Sequence, residues 1–308
     1  MDSKEEIVRD LLAMEMADKV ARNNHDFARR FPRDRYTRNI VRNLPRPSRQ
    51  VAESAARLSN TDKVREILAT LDEDADGVAD PWELFNWMVW VEKIVHRHLM
   101  NEQWAELGRN ETVKTISWPD YQFMLYPHGV RTAEDRKRAR KERRRWENAD
   151  ANEDDKLTLH EFKYFIFPQL SPNAGAVLVP EAHDDLDENG DRMVSLDEFL
   201  AIYPDQSDLS DETAYFNDIL DADKNRFVDV EELSPWVDPK GYDQAKSEVI
   251  YLMELLDKDG NKLLAPEEAL GDSGRLFLTS QVTYYGEMYK LDMLRDEIFQ
   301  YKGSVNLK

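Results

Sequence analysis

The sequence predicts an all-α protein of six helix–loop–helix units arranged as three pairs, and three observations predict it. A twelve-residue, oxygen-rich pattern recurs at near-constant spacing. Apolar residues at helical period flank it. A capping residue at a fixed place in five of the six copies, in some followed by proline, marks where a helix restarts.

The pattern begins at Asp72, Asp150, Asp187, Asp221 and Asp257, at intervals of 78, 37, 34 and 36 residues. One unit is therefore missing between the first two. A degenerate copy fills the gap at Arg109–Asp120, recognisable from TISWPDY. Repeats of this length are single supersecondary units that share a core with a neighbour. Before the first loop Val64, Ile67, Leu68 and Leu71 share one helical face, and before the last Val249, Leu252, Met253 and Leu256 repeat that spacing. The stripe is weaker before the third and fourth loops. After the loops come Leu84, Phe85 and Trp87, then Phe162, Phe165 and Ile166, then Leu233 and Trp236. Position nine is Asp80, Ser117, Thr158, Ser195 or Asp229 in five copies, each an N-cap for the outgoing helix. Pro81 and Pro266 follow at the first helical position, and Pro119 one residue later. Position eight is apolar (Ala79, Ile116, Leu157, Val194, Val228, Leu264) and suits a short strand through which paired loops touch.

The loops fit a hard cation. Calcium takes six to eight oxygens, supplied by positions 1, 3 and 5, the carbonyl of 7, position 9 and a bidentate Glu at 12. The first loop offers Asp72, Asp74, Asp76, the Val78 carbonyl, Asp80 and Glu83, with Gly77 at the turn. The third offers Asp150, Asn152, Asp154, the Lys156 carbonyl, Thr158 and Glu161. The fourth offers Asp187, Asn189, Asp191, the Met193 carbonyl, Ser195 and Glu198. The fifth offers Asp221, Asp223, Asn225, the Phe227 carbonyl, Asp229 and Glu232. The sixth offers Asp257, Asp259, Asn261, the Leu263 carbonyl and Glu268, with Ala265 leaving its ninth position to water. One such loop is an acidic turn; five in register, each ending in Glu, are EF-hand Ca2+ sites. The second copy has Arg109, Val113 and Lys114 where oxygens and glycine belong, so its expected role is to complete a pair with the first loop. Asn110–Glu111–Thr112 within it is an N-glycosylation sequon.

The sixth position needs positive φ, normally met by glycine. Four of the five complete loops carry Asp155, Arg192, Arg226 or Lys262 there. Each non-glycine costs on the order of 1 kcal/mol, which predicts weak sites of roughly 10⁻⁴–10⁻³ M and a medium rich in calcium.

Composition bounds the rest. The chain has 308 residues, 41% hydrophobic and 34% charged, with a net charge of −20. Such acidity argues against nucleic acid and anionic membranes and favours cations or basic partners. No cysteine is present, which excludes disulfides, thiol catalysis and Cys-based zinc sites. No apolar run reaches the roughly 18 residues of a spanning helix, so membrane insertion is not expected. The start, MDSKEEIVRDLLAMEMADKV, lacks the apolar core of a signal peptide, and SVNLK is not a retention tetrapeptide. Read literally, the chain is cytoplasmic if Met1 is its true start.

Six such units, the degenerate TISWPDY copy, the non-glycine sixth positions and above all Leu276–Glu287 (LFLTSQVTYYGE) resemble the calumenin/reticulocalbin (CREC) family over about residues 60–300. The resemblance implies low-affinity calcium binding in the lumen of the endoplasmic reticulum or Golgi, and chaperone-like or regulatory contacts with client proteins. Family members carry a cleaved signal peptide and often end in a retention sequence; here Arg295–Phe299 lies near that place but is followed by further residues.

Sequential pairing then gives a basic, partly disordered leader over 1–60, hands 1 and 2 over 61–130, hands 3 and 4 over 131–205, hands 5 and 6 over 206–275, and a tail over 276–308. The leader's arginines, Arg29 to Arg49, are a docking arm or a solvated segment. The run Arg136–Glu147 reads as the incoming helix of the third hand, its basic face exposed and Trp146 in the core, or as a nuclear patch. His96 and His98, two apart on a helix, point to different faces and are not a zinc pair. No HExxH, nucleophile elbow or phosphate loop appears, and no small-molecule substrate or enzyme is expected. The function expected is a calcium-dependent, chaperone-like regulator of clients; a passive calcium buffer and a chromatin factor using the basic run are the alternatives.

Overall fold

The computed structural model describes residues 60–108, 114–203, 209–238, 243–270, 272–284 and 288. They form two compact units: 60–98 with 243–288, and 99–238. Residues 1–59 of the basic leader expected over 1–60, the sequon and the first five positions of the degenerate loop lie outside the described residues. Among the described residues, no helix is long and apolar enough to cross a membrane.

The first unit opens with α1 (Asn60–Leu71), whose Val64, Ile67, Leu68 and Leu71 are all buried as their spacing predicts. Asp80 then caps α2 (Pro81–Glu106), its carboxylate accepting the Trp82 and Glu83 N–H groups at 2.8 Å. Residues of α2 up to His98 belong to the first unit and those from Leu99 to the second.

The second unit continues through β1 (Thr115–Ser117), α3 (Trp118–Leu125), α4 (Ala133–Ala149), β2 (Lys156–Thr158) and α5 (Leu159–Ile166). A 3₁₀ turn over Pro168–Leu170 leads to α6 (Gly175–Leu186), β3 (Val194–Ser195) and α7 (Leu196–Leu200). The fifth hand follows as α8 (Ser210–Tyr215), a π turn over Phe216–Leu220, β4 (Phe227–Val228) and α9 (Val230–Val237). The chain then returns to the first unit as α10 (Gln244–Leu256), α11 (Asp272–Thr279) and a 3₁₀ turn over Gln281–Thr283.

Both helices with weak stripes form. A capping box starts α4, with Thr132 accepting the Asp135 N–H at 2.9 Å and Asp135 accepting the Thr132 N–H at 2.9 Å. Its last turn buries Trp146 and Ala149. In α6 Val179, Ala182, His183 and Leu186 are buried. Outgoing helices follow each ninth-position cap, from Asp80, Ser117, Thr158, Ser195 and Asp229. After the sixth loop, residues 265–270 form turns instead of the helix that Pro266 suggested. Ala265 has no side-chain oxygen to hold the first free N–H groups of a helix.

The loops pair by their eighth residues, but not with the neighbours that sequence order suggested. Ile116 pairs with Leu157, joining the second loop to the third. Val194 pairs with Val228, joining the fourth to the fifth. Ala79 bridges Leu264, exchanging N–H···O bonds of 3.0 and 2.8 Å, so the first loop joins the sixth. Sequential modules over 61–130, 131–205 and 206–275 are therefore not how the loops pair. The physical reason lies in α2. It serves as outgoing helix of hand 1 and incoming helix of hand 2 without interruption, whereas Pro127 and Gly129 sit in the turn between α3 and α4. With no turn signal between them, the loops of hands 1 and 2 do not pair, and the pairing shifts by one.

The segment expected as a C-terminal tail is core over its described part. Phe277, Val282 and Tyr284 are buried; the Trp87 indole N–H donates to the Val282 carbonyl at 2.8 Å. The Tyr284 hydroxyl sits 2.6 Å from His96 Nε2.

Candidate metal centre

Each complete loop is wound around its own ligand side chains. The first-position carboxylate accepts the sixth N–H in all five: Gly77 to Asp72, Asp155 to Asp150, Arg192 to Asp187, Arg226 to Asp221 and Lys262 to Asp257, at 2.8–3.0 Å. The fifth-position oxygen accepts the seventh N–H, at Asp76, Asp154, Asp191, Asn225 and Asn261. The closing glutamates, Glu83, Glu161, Glu198, Glu232 and Glu268, each accept the ninth N–H at 2.8–3.1 Å. Four of them also reach the loop's second residue, with Glu83, Glu198, Glu232 and Glu268 accepting N–H bonds from Glu73, Glu188, Ala222 and Lys258. Each of these four glutamates thus ties the start of its loop to the outgoing end.

In three loops the acidic ligands converge. Ligand atoms of Asp72, Asp74 and Asp76, of Asp221, Asp223 and Glu232, and of Asp257, Asp259 and Glu268 lie within 4.8 Å of one another. The third and fourth loops carry Asn152 and Asn189 at position three, with the Asp154 and Asp191 N–H groups on them. Carboxylates so close repel unless a cation lies among them. The donors are all hard oxygens, with no thiolate or imidazole, and this chemistry fits calcium. Hands of this kind make the chain an acidic, calcium-binding EF-hand protein.

Positive φ is broader than the sequence suggested. The sixth position is left-handed in every complete loop: Gly77 (88°), Asp155 (57°), Arg192 (70°), Arg226 (74°) and Lys262 (66°). The fourth position is left-handed as well, at Ala75 (58°), Glu153 (59°), Gly190 (78°), Lys224 (62°) and Gly260 (74°). The first loop, expected to be unstrained because of Gly77, therefore holds Ala75 in this region, and the third and fifth loops hold two non-glycines each. In every complete loop the sixth N–H donates to the first-position carboxylate while holding such an angle.

Two glutamates differ in their surroundings. Burial pushes the Glu83 carboxyl above its ordinary range, although the Asp80 and Glu73 N–H groups act to lower it. Burial acts in the same sense on Glu198, but the Ser195 N–H and hydroxyl and the Asn189 and Glu188 N–H groups outweigh it and hold that carboxyl below its ordinary range.

The degenerate hand completes a pair with the third loop rather than the first. Its Ile116 and Tyr121 enter an aromatic core with Trp104, Trp146, Phe162 and Phe165, and Trp118 packs against it. The Trp118 and Trp146 ring centroids are 5.3 Å apart. The basic run forms α4 with Trp146 buried, but its basic face is largely engaged. Arg145 makes a bidentate pair with the fully buried Glu181, at 2.7 and 2.6 Å. Arg144 contacts Asp184 at 3.2 Å, and Lys141 pairs with Asp185. Sequence reading missed this seam because its acids lie about 40 residues further along the chain, with no local signal.

The chain is similar to reticulocalbins. It is 29% identical to reticulocalbin-2 of Mus musculus over 256 residues, covering 77% of this chain and 78% of that one. It is 29% identical to reticulocalbin-2 of Rattus norvegicus over 259 residues, with the same coverage. It is 28% identical to reticulocalbin-3 of Homo sapiens over 254 residues, covering 76% and 75%. No family model and no solved structure matches the chain.

Proposed function

We propose, from the premise that these curated homologues support a place in the calumenin/reticulocalbin (CREC) family, that the chain is a low-affinity calcium sensor of the secretory pathway that regulates client proteins. The observation that carries this reading is the shared loop architecture: five sets of oxygen donors closed by a glutamate, with a non-glycine held at positive φ in each. The proposed ligands are the side chains and seventh-position carbonyls named above, from Asp72–Glu83, Asp150–Glu161, Asp187–Glu198, Asp221–Glu232 and Asp257–Glu268. Calcium supplies the positive charge that the converging carboxylates need; the chain supplies loops already wound to receive it. Client contact finds support in exposed apolar residues at the end of α3, where Phe123 is 70% exposed and Met124 and Leu125 follow. The similarity to reticulocalbins and the expected weak sites, which fill only where calcium is abundant, support lumenal residence.

Calorimetric titration of the full chain tests the reading. Five sites of roughly 10⁻⁴–10⁻³ M are expected, the range of extracellular modules. Glu232→Gln should remove one of them. Sub-micromolar binding at all five loops would defeat the low-affinity reading. Client regulation is tested by aggregation of a heat-denatured enzyme with the chain present, in calcium and in chelator. Suppression that needs calcium and is lost in Phe123→Asp supports it, and equal aggregation with and without the chain overturns it.

A further inference from the structure

We infer that Arg143, on the third hand's own incoming helix and packed against Trp118 of the degenerate second hand, positions the third loop and thereby sets the calcium affinity of the Asp150 site. This rests on the calcium reading of that loop and goes beyond it by giving the ligand-poor hand a task.

The third loop is the one whose sixth residue is acidic. The other complete loops have Gly77, Arg192, Arg226 and Lys262 there. Asp155 sits at φ 57°, a region that L side chains enter at a cost of about 1–2 kcal/mol. Three attachments hold it there. Its N–H donates to Asp150 Oδ2 at 2.8 Å, as the sixth residue does in every complete loop. The other two attachments come from outside the loop. The Asp155 carbonyl accepts the Trp118 N–H at 3.2 Å, one step beyond the β1–β2 ladder. The Asp155 carboxylate accepts Arg143 Nη1 at 2.7 Å. Arg143 is itself set by two contacts: its Nε donates to Glu147 at 2.8 Å, and its guanidinium lies 5.2 Å from the Trp118 ring centroid.

Residue 155 is thus gripped by main chain and by side chain, and both grips lead to Trp118 of the second hand. The β contact they extend covers three residue pairs, against two for β3–β4 and one bridge for Ala79–Leu264. The grip has two consequences for a cation at Asp150. It keeps the sixth N–H directed at the first ligand, which orients that carboxylate. It also turns an extra carboxylate outward onto a guanidinium. Arg143 is a positioning residue here, because it touches Asp155, Glu147 and Trp118 rather than a ligand oxygen.

The test uses the full chain carrying Glu83→Gln, Glu198→Gln, Glu232→Gln and Glu268→Gln, so that the Asp150 loop alone keeps its closing glutamate. Calcium affinity is measured by calorimetry, and exchange of the Asp155 amide by hydrogen–deuterium exchange in chelator. Arg143→Met should weaken calcium by about three- to fivefold, the scale of a partly exposed ion pair, and speed exchange at Asp155. Arg143→Lys, which keeps the charge without the planar fork, should recover part of the loss. In an Asp155→Gly chain the carboxylate and the strain are both gone, so adding Arg143→Met should change nothing further. A purely structural role would give the same loss in both backgrounds, and that result overturns the inference, as does an unchanged affinity in Arg143→Met. If the starting chain binds no calcium, the reading of the loop itself falls; if it binds but ignores Arg143, only this inference does.

Discussion

Glu83 and Glu198 close equivalent loops from opposite electrostatic positions. For Glu83, whose carboxyl is raised above the ordinary 4.5, the folded state holds its proton more tightly than the unfolded one. Its stabilising contribution is therefore present below the ordinary value and is lost as pH rises through the folded one. Glu198 is lowered, so its contribution is present above the ordinary value and is lost as pH falls through the folded one. Urea unfolding in chelator at pH 7 should show Glu83→Gln stabilising and Glu198→Gln destabilising. At a pH below both carboxyls the two differences should shrink. The same sign for both at pH 7 would contradict the assignment. At this scale the sequence was legible wherever a residue type carries one role. Aspartate at positions one and three, and glutamate at twelve, announce themselves by chemistry. The left-handed fourth position did not, because Gly190 and Gly260 occupy it in two loops while Ala75, Glu153 and Lys224 hide it in the others.

Helices α4 and α6 end at the first residues of the third and fourth loops, and an ion-pair seam joins them. Its centre is Arg145 on the fully buried Glu181. Arg145→Met leaves a buried carboxylate without its partner and should cost about 3–5 kcal/mol. Replacing both, Arg145→Met with Glu181→Leu, should recover most of that, since a buried pair exchanged for apolar side chains is often close to neutral. Chemical denaturation of the two variants decides it: equal losses would mean that the pair matters for packing and not for charge. Sequence reading found α4 as a helix and placed Trp146 correctly. It could not find the seam, because charge periodicity shows which face is basic but not which helix will cover it. The sixth outgoing helix failed for a complementary reason. Pro266 permits a helix to start, but permission without a cap at Ala265 does not make one.

The pairing of loop one with loop six governs the whole molecule. Ending the chain at residue 242 removes α10, the sixth loop and α11, and with them the bridge at Ala79. Calorimetry should then lose two sites, at Asp257 and Asp72, and keep the Asp221 site, whose partner loop is the fourth. Sequential pairing predicts the reverse: Asp72 intact and Asp221 impaired. Spacing alone gave six units but not their partners, because every eighth residue is apolar and any two of them make a compatible rung. The choice is made by α2, whose uninterrupted length is visible in the sequence only as the lack of a turn signal between Glu83 and Glu106.

Trp87 donating to the Val282 carbonyl, and His96 meeting Tyr284, join residues 195 and 188 positions apart. On the ribosome that separation becomes time. At about 5–20 residues per second, roughly 10–40 s pass between the emergence of α2 and the arrival of the residues that cover it. The described residues of the second unit run without return from 99 to 238, so they can pack together during this interval. The first hand, made before it, is finished after it, and its apolar α1 face must be kept from other chains until the last sixty-odd residues are synthesised.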